Sequence, residues 1–388
     1  MITTTSKSMD PELAKKLFHE GATLVILDVP QGTEFGIDYN SWTVGPKFKG
    51  VKMIPPGFHF VFYSVVSKDK KASPRTGFLH FFKQKELVVR RWDKSLEVIS
   101  SEGILSEDED RLRISLMDLD SSLGAYPYES LKKWVSLSNY VTEEIVATVR
   151  PHNGCVSSVT QVRSDDVHSE KLQKESTQES SSEQLFAGVG YFTAESINST
   201  DSQSTPQCTL QAEPDSVLRF HLVSTKYPKD STPAQISHHC MDFSFTLEEM
   251  LKRYFTSEDE LLGELQLAFL CFLQGQVYDA FEHWKSLVQL LCSCEEAMKC
   301  HPKFFSNLIS VLHFQLKEIP KDFFVDIVSR KNFLTTTLQI FFSILEASNG
   351  SLDASLVKKG LKFQDSLNKQ FKWDFSVEPD EYAPTVVD

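Results

Sequence analysis

A mixed α+β, multidomain fold follows from three features of the 388-residue sequence. Before Pro151 the apolar residues fall in short β-branched and aromatic runs divided by turn residues. From Thr246 to Phe371 they recur at helical spacing, and between these regions the composition turns abruptly to serine and acid. The expected layout is a β-rich domain over 1–150, a disordered serine-rich acidic linker over 151–205, an all-α domain over 206–375 and an extended tail over 376–388.

In chain order, Asp10, Pro11 and Glu12 form an N-cap, an N1 proline and a first-turn acid, with Gly21 at the helix C′ position, so a short helix opens the domain. Ala22 to Leu27 is a nearly unbroken apolar run, the pattern of a strand buried on both faces. Pro30-Gln31-Gly32 ends it with turn chemistry, and a polar segment carrying Asp38, Tyr39 and Trp42 follows. Pro55-Pro56-Gly57 introduces a second strand, Phe58 to Val66, which pairs through a basic loop with Gly77 to Phe82 as a hairpin. Glu86 to Trp92 and Leu96 to Ile99 supply two more strands, and Ser106 to Leu119 reads as a helix. Tyr128 to Val149, bounded by Pro127 and Pro151, reads as one amphipathic helix closing the domain.

In the linker, 12 of 55 residues are serine and eight acids face three bases, too little apolar area to offset chain ordering. One island interrupts it, Leu185 to Phe192; its Phe186, Tyr191 and Phe192 either dock as an extended ligand strand or pack on the chain's own domain. Beyond it, Val217 to Val223 is a strand candidate. Thr246 and Ser257 each start a capping box, and helices are expected at Leu247 to Phe255, Glu258 to Gln274, Val277 to Cys294, Pro302 to Glu318, Phe323 to Ser329, Phe333 to Ser348 and Ser351 to Phe371. Short turns between them imply a layered bundle or a stack of helix pairs.

The charge balance is acidic: 40 Lys and Arg against 53 Asp and Glu give a formal −13, which disfavours a generic phosphate-binding surface and direct sequence-specific nucleic-acid binding. A protein partner is expected instead. The first residues lack the apolar core of a signal peptide, nowhere do 18 apolar residues run together, and seven cysteines without repeated CxxC spacing fit reduced thiols, so a cytoplasmic and nuclear location is expected. Asn198-Ser199-Thr200 is then an incidental glycosylation match.

Candidate chemistry is sparse. Cys292, Cys294, Cys300, His301 and His283 have the wrong spacing for a zinc finger or ribbon and read as structural thiols; on one helix Cys292 and Cys294 would stand about 200° apart. His59 and His80 on paired strands, with Asp28 and Asp38 nearby, hint at a metal-dependent enzyme with the helical domain as a lid, but no HxH unit or third histidine accompanies them. Neither GxSxG, GxxxxGK[ST] nor GxGxxG occurs, so no cofactor is expected. Trp92, Trp134 and Trp284 read as core, while Trp42 in its polar context is a candidate interface anchor.

Asp28 to Asp38 (DVPQGTEFGID), Pro55 to Phe60 (PPGFHF), Val89 to Glu97, and Leu123 to Pro127 (LGAYP) together resemble the Aar-two splicing-factor family, as do Gly263 to Phe269, Phe281 to Lys285 (FEHWK) and Tyr382-Ala383-Pro384. The resemblance spans both domains and leaves 151–205 unmatched. It implies an N-terminal β-sandwich-like domain with flanking helices and a C-terminal VHS-like helical domain. It also implies a non-enzymatic assembly chaperone of the U5 snRNP, monomeric when free. Such a factor binds the RNase H-like and Jab/MPN-like domains of the large U5 scaffold protein and delays helicase and snRNA association. The metal-dependent enzyme is the alternative.

Two further expectations concern regulation and contact. Ser180, Ser181, Ser182 and Ser257 lie in acidic contexts suited to acid-directed kinases, where a phosphate adds about −1.5 to −2 charges. The tail, with Tyr382, Pro384, Thr385, Val386 and Val387, suits addition as a strand to a partner's sheet edge, its prolines keeping it extended.

Overall fold

Asp10 accepts a hydrogen bond from the Glu12 amide at 3.2 Å and starts α1 (Pro11–Glu20), so the opening cap forms as its sequence dictates. The structure, a computed structural model, describes residues 10–66, 73–100, 106–158, 162–163, 211–212, 214–319, 333–348 and 350–375. Gly21 follows α1 in an extended conformation, φ −75°, and not in the left-handed C′ conformation expected of it. Its need for glycine is close approach: a Cβ there would stand 2.9 Å from the Met53 Cα.

Two five-stranded sheets follow. The strands are β1 (Ala22–Leu27), β2 (Glu34–Ile37), β3 (Asn40–Thr43), β4 (Gly50–Ile54), β5 (Gly57–Ser64), β6 (Thr76–Phe82), β7 (Leu87–Asp93) and β8 (Val98–Ile99). After α2 (Ser106–Ile114) come β9 (Leu123–Ala125), α3 (Leu131–Ser138), α4 (Glu143–Val149) and β10 (Val156–Ser157). One sheet has the order β8-β7-β1-β4-β9, the other β10-β6-β5-β2-β3.

The continuous apolar runs are explained by layering. On β5, Phe58, Phe60 and Phe62 face the helices, while Val61 and Tyr63 face the other sheet. On β1, Ala22, Leu24 and Ile26 join that inter-sheet core, and Val25 turns outward onto Leu87, Val89 and Leu123 beneath Leu112 and Leu116. Each central strand is therefore covered on both faces, which erases the alternation of a half-exposed strand.

Several local expectations change. The polar segment around Asp38, for which no element was expected, holds a hairpin: β2 and β3 pair, Ile37 opposite Asn40, across a turn in which Asp38 takes φ 54°. The strand expected from Leu96 shortens to β8 because Asp93 caps a turn, accepting from the Ser95 and Leu96 amides. The helix expected over 106–119 stops at Ile114 and ends in turns. The single helix expected over 128–149 breaks at Asn139 to Thr142, where the Thr142 side chain accepts from the Ile145 amide and restarts α4.

Within the unit Thr160–Pro214, β11 (Val162–Arg163) pairs antiparallel with β12 (Gln211–Ala212), so the expected linker holds a strand at Val162 and Arg163. Its first residues belong to the sheet region as well: β10 (Val156–Ser157) pairs with β6 and the Asn153 amide donates to the Asp215 carbonyl, so the linker does not begin at Pro151; the remainder of that prediction lies outside the described residues, as does the Phe323 to Ser329 helix. Val217 to Val223 forms no strand: the Arg219 amide donates to the Val149 carbonyl at the end of α4 and the His221 amide to a carboxylate, leaving no ladder to join.

The helical region comprises α5 (Pro233–Met241), α6 (Ser244–Tyr254), α7 (Glu258–Leu273), α8 (Tyr278–Cys292), α9 (Glu295–Cys300), α10 (Pro302–Glu318), α11 (Phe333–Ala347) and α12 (Ala354–Phe371). α5 and α9 are additions to the expected set. The Thr246 box does not form, because α6 starts earlier: the Asp242 carboxylate accepts from the Ser244 amide and also from the amides of Glu295 and Glu296, serving two helix starts. Ser257 sits at the N-cap of α7 without a side-chain bond; Glu260 reaches back to Thr256 instead.

α7 is the axis of this half, with every residue from Leu261 to Cys271 buried, as expected of a helix apolar on all sides. It packs against α8, α10, α3 and α4, so one apolar core runs from the Phe58, Phe60 and Phe62 face of β5 through Trp134 and Ile145 into the bundle. No described helix is long and apolar enough to cross a membrane.

Candidate functional site

The strand histidines part company. His59 lies opposite His80 in the β5–β6 pairing, yet His59 is 1% exposed and both its ring nitrogens are occupied. Nδ1 is 2.6 Å from Asp38 Oδ2 and Nε2 is 2.8 Å from the Pro55 carbonyl; because a carbonyl only accepts, Nε2 carries hydrogen. Asp38 also accepts from the Tyr126 hydroxyl at 2.6 Å and the Phe60 amide at 3.0 Å. Burial, and then the Asp38 charge, push the Tyr126 phenol well above its ordinary range, so it stays a donor. This arrangement closes on itself, ties the β2–β3 turn to β5 and to the segment before α3, and presents no atom to a substrate.

His80 is partly exposed and bonds Glu86 at 3.2 Å; burial depresses its pKa, the Glu86 charge opposing. Asp28 points elsewhere, 3.7 Å from Arg91. The four groups the enzyme reading would need are thus divided among three environments. Among the described residues no group of three or more His, Cys, Asp or Glu is arranged to hold a metal.

Cys292 and Cys294 are fully buried, whereas Cys300 is exposed. They do not share a helix: α8 ends at Cys292 and Cys294 precedes α9, its thiol directed at the Leu290 carbonyl. Burial pushes both thiols upward in pKa, the unreactive direction. His301 sits between Glu248 at 2.6 Å and Glu258 at 2.5 Å; against the effect of burial, those bonds raise its pKa.

A second buried centre escaped sequence reasoning. Glu264, 0% exposed in the middle of α7, accepts from the His221 amide at 3.0 Å, and its oxygens lie 2.5 Å from His221 Nδ1 and 2.8 Å from His283 Nε2. Burial raises its pKa, but the two histidine bonds outweigh burial and hold the carboxyl below its ordinary value. The available signal was a carboxylate inside the apolar run LLGELQLAFL; its partner at position 221 is 43 residues away and leaves no spacing pattern. Two residues on, Gln266 accepts from the Tyr140 amide and donates to Asn139, joining α7 to the α3–α4 break.

Among the candidates for partner contact, Trp42 is 40% exposed on β3, an edge strand of its sheet with three consecutive exposed residues. Trp92, Trp134 and Trp284 are core, at 4%, 1% and 0% exposure. Ser257 is exposed at the start of α7. Phe186, Tyr191, Phe192, Tyr382, Pro384, Thr385, Val386, Val387, Ser180, Ser181 and Ser182 lie outside the described residues.

Comparison with known proteins finds two matched regions. Residues 20–151 match a family model described as the AAR2 N-terminal domain, and residues 220–376 match the AAR2 C-terminal repeat region. The chain is 46% identical over 385 residues to the Protein AAR2 homolog of Homo sapiens, covering 98% of this chain and 97% of that one. It is 44% identical over 388 residues to the Mus musculus homolog, covering 99% and 98%, and 36% over 371 residues to that of Caenorhabditis elegans, covering 95% and 99%.

Proposed function

The chain belongs to the AAR2 family, and on that premise we propose that it is a non-enzymatic assembly factor of the U5 snRNP in pre-mRNA splicing. The observation that carries this reading is similarity running through both the sheet region and the helical region to full-length relatives. The partner is the large U5 scaffold protein, held through its RNase H-like and Jab/MPN-like domains until the helicase and snRNA are admitted. The formal charge of −13 supports a role in masking a basic, RNA-binding face. Contact is made by Trp42 on its edge strand and by the C-terminal tail, whose Tyr382 to Val387 segment adds to a sheet edge. The factor is a monomer when free and works in cytoplasm and nucleus.

Affinity capture of the full chain from nuclear extract, read by mass spectrometry, tests this. The U5 scaffold protein is the expected main component, and deletion of residues 378–388 is expected to weaken its capture without moving the unfolding midpoint. A capture lacking that protein overturns the reading. Stoichiometric zinc or iron surviving chelation would overturn its non-enzymatic part and restore the alternative built on His59 and His80.

A further inference from the structure

A cavity of about 300 Å³ opens beside the middles of β6 and β7, where the chain leaves α4 and later returns. Its lining places Arg90, Arg150 and Arg219 with His80 and His152 around Phe78, and no carboxylate is among the described residues that line it. Arginines converging with no carboxylate among the described lining residues are unexpected in a chain with 53 acids and 40 bases.

The arginines are held by different means. The Arg219 backbone amide donates to the Val149 carbonyl at 2.8 Å; its Nε donates to the Arg150 carbonyl at 2.9 Å and one terminal nitrogen to the Ala147 carbonyl at 3.0 Å. Two of its five N–H donors thus fix the plane of the guanidinium at the end of α4, and three remain. Arg150 is exposed at the α4 C-cap, and its side chain meets no acid among the described residues. Arg90 lies 5.7 Å from the Phe78 ring centre and has further neighbours, so the inference stands on the other two. Burial, and next the charge of Arg150, depress the Arg90 pKa. The partial charge at the end of α4, about −0.5 at most, offsets only a fraction of the two full charges of Arg150 and Arg219.

We propose that this cavity binds a phosphomonoester dianion, with Arg150 and the pinned Arg219 supplying the donors. Planar guanidinium forks match phosphate oxygens two at a time, and the volume lies at the small end of ligand sites, about 300 to 1,000 Å³, which suits one phosphate group with little attached. This goes beyond the assembly role and does not depend on it. Small phosphate esters and phosphoserine carry the same group.

The test is calorimetric titration of the full chain with inorganic phosphate at constant ionic strength. Saturable 1:1 binding with Kd below about 1 mM is expected, weakened at least tenfold in Arg150→Gln, whose unfolding midpoint should match the wild type because the Arg150 side chain is exposed and meets no partner among the described residues. Arg150→Lys, which keeps the charge but not the fork, should fall between the two and serves if the glutamine variant folds poorly. Glycerol 3-phosphate and a phosphoserine tripeptide then identify the source, whichever binds more tightly than phosphate itself. Phosphate heats no different from those of chloride, or equal affinity in wild type and both variants, overturn the proposal.

Discussion

Replacing Glu264 tests whether the buried carboxylate fixes the return segment onto the bundle. Glu264→Ala leaves the His221 amide and two imidazoles without their acceptor in a site with no exposure on the carboxylate side. Removing one partner of a buried charged group in this way costs about 3 to 5 kcal/mol. Glu264→Gln keeps the shape and one acceptor; exchanging two charge-assisted bonds for neutral ones costs about 1 kcal/mol per bond, about 2 in all. The pH dependence has a definite sign. The folded pKa of Glu264 lies below its unfolded value of about 4.3, so its contribution is present above pH ~4.3 and is lost as pH falls through the folded pKa. Urea unfolding followed by tryptophan fluorescence at pH 7 and in steps down to pH 3.5 gives both quantities. The glutamine variant should show a shallower acid limb than the wild type. A loss under 1 kcal/mol in Glu264→Ala, or identical acid limbs in wild type and Glu264→Gln, refutes the reasoning.

Three other outcomes are expected. Gly263→Ala should destabilise by about 1 to 3 kcal/mol, because its Cβ would stand 2.3 Å from the Tyr140 carbonyl oxygen and 2.4 Å from Ile145 Cδ1; helix propensity alone predicts a gain of about 1 kcal/mol, so a more stable variant in urea disproves the close approach. Asp38→Asn retains the size and tolerance of φ 54° but loses the charged acceptor for His59 and Tyr126, and should cost about 1.5 to 3 kcal/mol with unchanged partner affinity; a selective affinity loss at unchanged stability would make Asp38 a contact residue. Trp42→Ala should weaken scaffold capture by at least about tenfold, near 1.4 kcal/mol, with stability within about 0.5 kcal/mol. A stability loss alone would assign Trp42 to packing.

Legibility followed the range of the interactions. The strands β1, β5, β6 and β7 announced themselves because two-sided burial demands continuous apolar runs, and α10 was read to both its ends, Pro302 and Glu318, because a proline start and a sharp stop are local. The β2–β3 hairpin was hidden because each strand has four residues and β3 is exposed throughout its last three, so only turn chemistry showed. Boundaries failed where the capping group comes from elsewhere: Asp242 starts α9 across 53 residues, and no window around Cys294 contains that information. The same holds for the candidate sites. His59 and Asp38 could be named from the sequence, but that they close on Tyr126 and Pro55 depends on contacts up to 88 residues apart.

The polar residues inside the apolar α7 run have one further consequence. A helix buried on all sides has no amphipathic stripe to set its rotation, and apolar packing alone tolerates several rotations about its axis. Glu264 and Gln266 remove that freedom: one oxygen pair must meet His221 and His283, and the amide must meet Asn139 and Tyr140. Any other rotation buries a carboxylate without a donor, which costs several kcal/mol. Because Asn139 and Tyr140 lie at the break between α3 and α4, the same bonds that set α7 in the bundle also seat the bundle on the sheet region. Glu264 therefore fixes the rotation of α7 within the bundle, and Gln266 carries that rotation to the joint between the two halves. Replacing both with leucine should preserve compactness while broadening the tryptophan and methyl NMR signals at that joint; sharp, single signals in the double variant would show that apolar packing alone sets the rotation.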